Sequence, residues 1–259
     1  MPDFLDSLAQ SAKATIRSGY YKTAKDKAKS QVSFREAIQE AKNVPIITEI
    51  KAVSPSTGTI RKNVEASEIA ISMEKGGAIG LSILTEPKHF KGSLLWLAEV
   101  RQTVKLPILM KDIIINPIQL NAASKAGANA TLLIAALFER GYCECSVGEM
   151  IAIAHSKGLE VLLETHTEEE FRSALMTPAD LIGINNRNLA TLKVDLAVTE
   201  RILKKNNAKG KIVVSESGIL TVADLRFLLN CGAQAFLIGS AVMRDNDIEN
   251  KVRELVAVS

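Results

Sequence analysis

The feature that most constrains the fold of this chain is a series of short apolar segments that recurs along its length. Eight such segments centre on Ile47, Ile83, Leu109, Leu132, Leu162, Ile184, Val213 and Leu237, with neighbouring centres 22 to 36 residues apart. Each segment is nearly unbroken in apolar residues, which is typical of a strand buried on both faces. Amphipathic stretches between them complete repeated βα units. Because eight parallel strands close a barrel, the sequence predicts an α/β fold, a (β/α)8 TIM barrel.

A further segment precedes the first predicted strand. Residues 1–44 contain an amphipathic pattern around Phe4 and Leu8, and then a capping box at Ser33–Glu36. We therefore predict an N-terminal helical extension at 1–44. No linker or low-complexity tract divides the chain, so we expect a single domain over 1–259. Two roles are open for the extension: it plugs one end of the barrel, or it covers the mouth above a substrate.

Composition and motif content argue against several classes of function. A net charge of +3 does not indicate nucleic-acid binding, for which a domain pI above ~9 and a clustered basic face are expected. The N-terminus has no signal-peptide pattern, and the longest strongly apolar stretch, 130–138, is half of the ~18 residues that a membrane span needs. The histidines and cysteines show no metal-site spacing, and no nucleotide-binding glycine motif occurs. We expect a cytoplasmic protein that binds no nucleic acid, membrane, metal or nucleotide.

Charged side chains end several of the predicted strands, where a barrel of this type places its active residues. These are two lysines and three carboxylates: Lys51, Lys111, Glu49, Glu164 and Glu216. Glu49 and Lys51 are two residues apart, so they share a face of the first strand. Buried charges must pair, and clustered acids and amines that perturb one another mark functional sites. The sequence therefore predicts an acid–base site at the mouth. His166, two residues past Glu164, is a weaker candidate.

Two serine–glycine pairs predict a phosphate site. Ser217-Gly218 ends the seventh strand and Gly239-Ser240 ends the eighth. The loops after these two strands form the usual phosphate site of the fold. Glycine lets backbone N–H groups approach phosphate oxygens, and serine adds a hydroxyl donor. We therefore expect a small phosphorylated molecule as the substrate.

At these residues the sequence resembles the indole-3-glycerol phosphate synthase family. The matching segments are Glu49–Ser56, Leu81–Glu86, Phe90–Ser93, Ile108–Asp112, Glu164, Gly183–Leu189, Ser215–Ile219 and Leu237–Ser240. They run in order over nearly the whole barrel, and the N-terminal extension also fits the family. The resemblance implies conversion of 1-(2-carboxyphenylamino)-1-deoxyribulose 5-phosphate into indole-3-glycerol phosphate in tryptophan biosynthesis. The ring closes with loss of CO2 and water, and no cofactor or metal takes part. We expect a monomer or a weak homodimer.

The resemblance also implies catalytic roles. Lys111 matches the general acid that protonates the ketone oxygen during ring closure, and Glu164 matches the acid–base residue of the dehydration. Lys51 would pair with the carboxylate region of the substrate and assist proton transfer. Glu49 and Glu216 would hold the lysines and stabilise the developing iminium charge.

Further residues are implied as substrate contacts. Asn185, which the resemblance also places among the catalytic residues, would bind substrate hydroxyls, and Arg187 would lie near the substrate carboxylate. The other implied contacts are Ser54, Ser217, Gly218, Gly239 and Ser240 at the phosphate, together with Phe90 and Leu189. Three positions depart from the family pattern: Ala52 replaces a frequent basic residue, Ile113 a usual aromatic residue and Asn188 a frequent aspartate.

Three alternatives stay open from the sequence. A Schiff-base aldolase would use Lys111 or Lys51 as its nucleophile, which requires an uncharged amine. A related phosphate-binding isomerase would resemble phosphoribosylanthranilate isomerase, whose acid–base pair is Cys and Asp on strands one and six. Here those strands offer Glu49, Lys51 and Asn185 instead. The third alternative is a non-catalytic barrel that only binds a phosphorylated ligand.

Overall fold

The barrel is seen directly in a computed structural model, which describes residues 3–23, 32–55 and 57–258. Its eight parallel strands are β1 (Ile46–Ile50), β4 (Gly80–Leu84), β5 (Ile108–Lys111), β6 (Ala130–Ile134), β7 (Glu160–Thr165), β8 (Leu181–Asn185), β9 (Ile212–Glu216) and β10 (Ala235–Ile238). They close into a barrel in the order β1-β10-β9-β8-β7-β6-β5-β4. Each of the eight apolar segments contains one of these strands, which confirms the predicted barrel. Two short strands, β2 (Val53–Ser54) and β3 (Gly58–Thr59), pair antiparallel in the loop after β1.

Helices connect the strands and surround the barrel. They are α1 (Phe4–Arg17), α2 (Phe34–Gln39), α3 (Ala66–Lys75), α4 (Leu94–Thr103), α5 (Pro117–Ala126), α6 (Ala135–Glu139), α7 (Val147–Ser156), α8 (Glu168–Ala174), α9 (Ala197–Lys205), α10 (Val222–Asn230), α11 (Ser240–Arg244) and α12 (Ile248–Val256), with a 3-10 turn at Tyr20–Thr23. Sequence signals set their ends. In α5, Asn116 forms a capping box, Pro117 takes the first turn, and Gly127 ends the helix at φ 91°.

Strand alternation divides the apolar core into two layers. Ile47, Leu109 and Leu162 point into the barrel, whereas their neighbours such as Ile46 and Ile108 point outward to the helices. Both sets are almost completely buried. This double burial explains why the strands read as continuous apolar segments rather than as alternating ones.

The short helix α2 closes the N-terminal end of the barrel. Glu160, the first residue of β7, accepts hydrogen bonds from Ser33 Oγ and the Phe34 N–H, both at 2.6 Å. The Phe34 ring fills the space beside Gly80, where an added Cβ would lie 2.3 Å from a ring carbon. The plug role that the sequence left open therefore belongs to α2.

The first helix, α1, lies at the opposite end, over the mouth. Its buried face includes Leu8, and Arg140 forms ion pairs with Asp3 and Asp6 at 2.8 Å. Ser11 Oγ lies 2.8 Å from His89 Nε2 in the loop after β4. The cover role therefore belongs to α1, and the predicted extension fulfils both roles through different helices. Residues 24–31, within the predicted extension, and Ser56, within a matching segment, lie outside the described residues.

None of the helices in the described ranges has both the length and the apolar character needed to cross a membrane.

Candidate active site

A cavity of about 270 Å³ opens at the carboxyl ends of the barrel strands. The predicted site residues that line it are Glu49, Lys51, Ser54, Phe90, Lys111, Glu164, Asn185, Arg187, Leu189, Ser217, Gly218, Gly239 and Ser240. Glu216 does not line the cavity but contacts Lys111. The fold thus brings together all of the side chains that the strand ends and the resemblance selected.

Lys111 is the central cation of the mouth. Its Nζ lies 2.7 Å from Glu216 Oε2 and 3.3 Å from Glu164 Oε2, and its side chain is 18% exposed. Lys111 belongs to β5, whereas Glu216 belongs to β9 and Glu164 to β7. Because Lys111 is the last residue of its strand, its long side chain reaches across the barrel mouth to the two carboxylates.

This shared contact separates the pKa values of the two acids. Burial raises the pKa of Glu164, but the charge of Lys111 and the close contact and charge of His166 outweigh burial and hold that pKa well below its usual range. Burial and the charge of Glu164 raise the pKa of Glu216 to about 7, against the opposing effect of Lys111. The carboxylates outweigh the desolvation of Lys111 and raise its pKa above the ordinary value. Two acids whose environments separate their pKa values in this way are candidates for acid–base work.

A second ion pair lies toward β10. Lys51 Nζ is 2.7 Å from Glu49 Oε1, and the Glu49 side chain is 4% exposed. Glu49 Oε2 is buried and has no hydrogen-bond partner in the described chain, so it can accept a donor from a ligand. Gly239 makes room for this pair, because an added Cβ would lie 2.6 Å from Glu49 Oε1 and 2.8 Å from Lys51 Nζ.

The turn after β9 is held in an unusual backbone conformation. Ser217 and Gly218 have φ angles of 67° and 85°. A positive φ is costly for serine and is found most often where surrounding groups enforce it. Here the Asn186 amide donates to the carbonyls of Glu216 and Ser217, and its oxygen accepts from Thr199 Oγ1 at 2.8 Å. Asn186 therefore fixes the turn that the sequence assigns to phosphate.

Apolar side chains that the sequence reasoning missed form one wall of the cavity. Phe4 and Leu8 reach it from α1, and Leu132 and Ile134 reach it from β6. The spacing of four residues in α1 and of two in β6 was the available signal. Ile113 also lines the cavity, so the wall at this family departure is aliphatic.

Two arginines border the cavity. Arg187 donates from Nη1 to the Leu192 carbonyl at 3.2 Å, and its N–H donates to Asn185 Oδ1 at 2.9 Å. Arg244 was not selected from the sequence, although it lies four residues after Ser240 in α11. Within the described chain Arg244 forms no ion pair, and it is exposed at the cavity rim. It is therefore available to an anionic ligand.

Asp112 connects the N-terminal extension to the lysine strand. Its carboxylate accepts from Thr85 Oγ1 at 2.5 Å, the Tyr21 hydroxyl at 3.0 Å and the Ile113 N–H at 2.7 Å. Burial raises the pKa of Asp112 to about 6, although these hydrogen bonds oppose the shift. The network anchors the turn after α1 beside Lys111.

The weaker candidate, His166, lies outside the cavity, behind Glu164. His155 is exposed and lies 2.8 Å from Asp180, and Trp96 packs against the helical layer. The cysteines are free thiols, and the residues that the structure describes include no cluster of three or more metal-binding side chains.

Comparisons with known proteins identify one family. A family model described as indole-3-glycerol phosphate synthase matches residues 6–255. The indole-3-glycerol phosphate synthase of Methanocaldococcus jannaschii is 47% identical over 232 residues, covering 88% of this chain and 84% of that protein. The enzyme of the same name from Endomicrobium trichonymphae is 37% identical over 260 residues, covering 97% of this chain and 98% of the relative. The solved N-acetylmannosamine-6-phosphate 2-epimerase of Clostridium perfringens has a TM-score of 0.60 at 16% identity, covering 83% of this chain and 93% of its own, and shares only the fold.

Proposed function

This chain belongs to the indole-3-glycerol phosphate synthase family, and we propose which step of the family's reaction each residue at the barrel mouth performs. The protein is a carboxy-lyase of tryptophan biosynthesis. Its substrate, 1-(2-carboxyphenylamino)-1-deoxyribulose 5-phosphate, forms a second ring and loses one CO2 and one water. The observation that carries the assignment of roles is the Lys111 ammonium between Glu164 and Glu216.

Lys111 acts as the general acid of ring closure. Two carboxylates keep its amine protonated, and its Nζ faces the cavity where the ketone oxygen would lie. Protonation of that oxygen makes the carbonyl carbon a better electrophile for the aromatic ring carbon. Such a contribution is typically worth ~10² to 10⁴ in rate.

The carboxylates serve the steps that follow. After ring closure the substrate nitrogen carries positive charge, which draws the electron pair released as CO2 departs. Glu216 and Glu49 supply the negative charge that stabilises this cation. Glu164 then exchanges protons with the intermediate as the hydroxyl group leaves as water. Lys51, beside Glu49, assists proton transfer at the carboxylate end.

The remaining contacts fix the substrate in place. The phosphate is bound by Ser54, Ser217, Gly218, Gly239 and Ser240. Asn185 binds the sugar hydroxyls and Arg187 binds the aromatic carboxylate. Phe90 and Leu189 contact the aromatic ring together with the apolar wall formed by Leu8 and Leu132.

The Schiff-base alternative fits the site poorly. A nucleophilic lysine needs an amine that has lost its proton. Here each lysine faces a carboxylate at 2.7 Å, which favours the charged ammonium.

The test is turnover of the substrate, followed by the fluorescence of the indole product. We expect wild-type activity and a loss of about 10² to 10⁴ in kcat for Lys111→Ala. Lys125→Ala is the matched control, because Lys125 is an exposed lysine on α5 outside the barrel. Failure of the wild type to turn over intact substrate would refute the assignment, and a fully active Lys111→Ala would refute the role of Lys111.

Three further expectations belong to this proposal. We propose that residues 1–259 act as one domain, that the enzyme works in the cytoplasm without metal or cofactor, and that it is a monomer or weak homodimer. A relative that matches this chain over nearly its whole length supports the first, and the acid–base character of the site supports a reaction without metal or cofactor. Sedimentation velocity over a range of concentrations tests the third.

A further inference from the structure

The imidazole of His166 lies directly behind the Glu164 carboxylate. Its Nε2 is 3.3 Å from Glu164 Oε1, and its side chain is 12% exposed. His166 is absent from the cavity lining, although it follows immediately after β7. Any effect of this ring on the substrate must therefore pass through Glu164.

A second carboxylate holds the other side of the ring. His166 Nδ1 lies 3.5 Å from Glu170 Oε2, and the same oxygen accepts the His166 backbone N–H at 2.7 Å. Glu170 is itself fixed, because its N–H donates to Thr167 Oγ1 at 3.1 Å at the start of α8. The Glu170 side chain is 8% exposed. The ring is thus confined between two buried acids.

This arrangement favours the imidazolium. A neutral imidazole has one N–H and one lone pair, so one of the two carboxylates would face a lone pair. The charged ring carries an N–H on the nitrogen nearest each carboxylate, at ion-pair distances of 3.3 and 3.5 Å. Burial alone lowers the pKa of His166, but the close contacts and charges of Glu164 and Glu170 outweigh burial and raise that pKa to about 9. The other charged groups nearby are Lys111, which faces Glu164, and Glu139, whose pKa the charge of Glu170 raises.

We propose that His166 is a positioning residue that fixes the Glu164 carboxylate from behind, as an extension of the reaction assigned above and dependent on it. Lys111 contacts Oε2 of this carboxylate and His166 contacts Oε1, so each oxygen faces its own cation. The two contacts set the side-chain rotamer of Glu164 and keep it ionised until the dehydration step needs it as a base. When His166 loses its proton, the positive charge that faces Oε1 is lost and Lys111 is left as the one cation that contacts Glu164 among the described residues.

Two conservative variants separate this role from simple packing. In His166→Gln we expect kcat to fall about 10-fold with KM nearly unchanged, since a small misplacement of a catalytic group is sufficient for such a loss. The loss of activity near pH 9 that deprotonation of His166 causes in the wild type should also disappear. In Glu170→Gln the ring keeps its place but loses a negative neighbour. The decrease of kcat at high pH should therefore begin at a lower pH than in the wild type. The basic limb of the kcat profile, its decrease at high pH, should thus disappear in one variant and move to lower pH in the other. A structural defect would not produce these two opposite effects.

An independent measurement follows the ring itself. The chain has three histidines, so ¹⁵N-histidine labelling gives few ring signals, and His166→Gln identifies the signal of His166. We expect it to titrate near pH 9 in the wild type and at lower pH in Glu170→Gln and in Glu164→Gln. His155→Gln is the matched control, because that exposed ring pairs with Asp180 away from the cavity. It should leave both the kcat profile and the His166 signal unchanged.

The outcomes distinguish this inference from the function on which it rests. A wild type that does not convert the substrate refutes the proposed function, whatever the histidine signal does. An active wild type with a basic limb unchanged in both variants, or with a His166 signal that titrates near its ordinary pKa, refutes the positioning role alone.

Discussion

Replacing Gly183 by alanine is expected to disable the site while leaving the barrel folded. Gly183 lies on β8, with Glu164 as its register partner on β7. A Cβ at this position would lie 2.2 Å from Glu216 Oε1, whereas ordinary contact begins at 3.4 Å. The Gly183 backbone is not in the left-handed region, so the steric clash is the whole perturbation.

The magnitude follows from which atom has to move. Glu216 Oε1 is the end of a side chain, so it must shift by about 1 Å to restore contact distance. The Glu216 side chain is 1% exposed and Lys111 holds its other oxygen at 2.7 Å, so the shift must disturb the contact of this carboxylate with the lysine. We expect kcat to fall by about 100-fold, the loss that a 1 Å misplacement causes. Overpacking should lower the free energy of unfolding by only about 1 to 3 kcal/mol.

The assay is steady-state turnover with the fluorescence readout, together with thermal unfolding. Gly148→Ala is the matched control, because a Cβ there meets nothing within 4 Å. A double-mutant cycle with Glu216→Gln then tests the mechanism: once Glu216 is altered, adding Gly183→Ala should cost much less, since coupled residues are not additive. Near wild-type activity of Gly183→Ala, or full additivity in the cycle, would refute the reasoning.

Four other outcomes are expected. Glu160→Ala should destabilise the fold by about 1 to 3 kcal/mol, since the half-buried donors at the start of α2 lose their acceptor. The kcat should not change, because this residue is at the end opposite the cavity; a changed kcat would contradict the placement of α2. Leu8→Ala should lower the free energy of unfolding, measured by chemical denaturation, by about 2 to 5 kcal/mol. It should also raise KM; an unchanged KM would argue against a cover role for α1. Arg244→Ala should raise KM and weaken inhibition by inorganic phosphate, while the exposed Arg226→Ala on α10 does neither; equal effects would refute the anion contact. His166 has a folded-state pKa of about 9 against an ordinary 6.5, so its stabilising effect is complete below pH 6.5 and is lost as pH rises through 9; the unfolding free energy of the wild type should fall relative to His166→Gln over that window, and parallel curves would contradict it.

The barrel and most of the site were predictable because their signals are local. A strand buried on both faces must be apolar throughout, so each strand is recognisable in the sequence as a nearly unbroken apolar segment. In this fold the carboxyl ends of all strands meet at one mouth. The polar residues that end them, such as Glu49, Lys111 and Glu216, were therefore expected to converge even though they are far apart in the chain.

Helical and strand periodicity also contained signals that were not used. Phe4 and Leu8 share a helix face, and Leu132 and Ile134 share a strand face, yet both patterns fit ordinary core packing equally well. Arg244 follows Ser240 by one helical turn. Only the direction in which each element faces the cavity separates a substrate wall from an ordinary core.

By itself, the sequence determined that the chain alternates strands and helices, that the strands number eight, and which residues end them, since all of these follow from local periodicity and composition. Only the tertiary structure decided that Lys111 contacts Glu164 and Glu216, which lie 53 and 105 residues away, and that His166 stands behind one of them. It also decided that α1 covers the mouth while α2 plugs the opposite end. These pairings depend on the closure of the barrel and on distances of a few ångströms across it. The strength of a charge interaction varies with such distances and with burial, and neither is encoded in any short stretch of sequence.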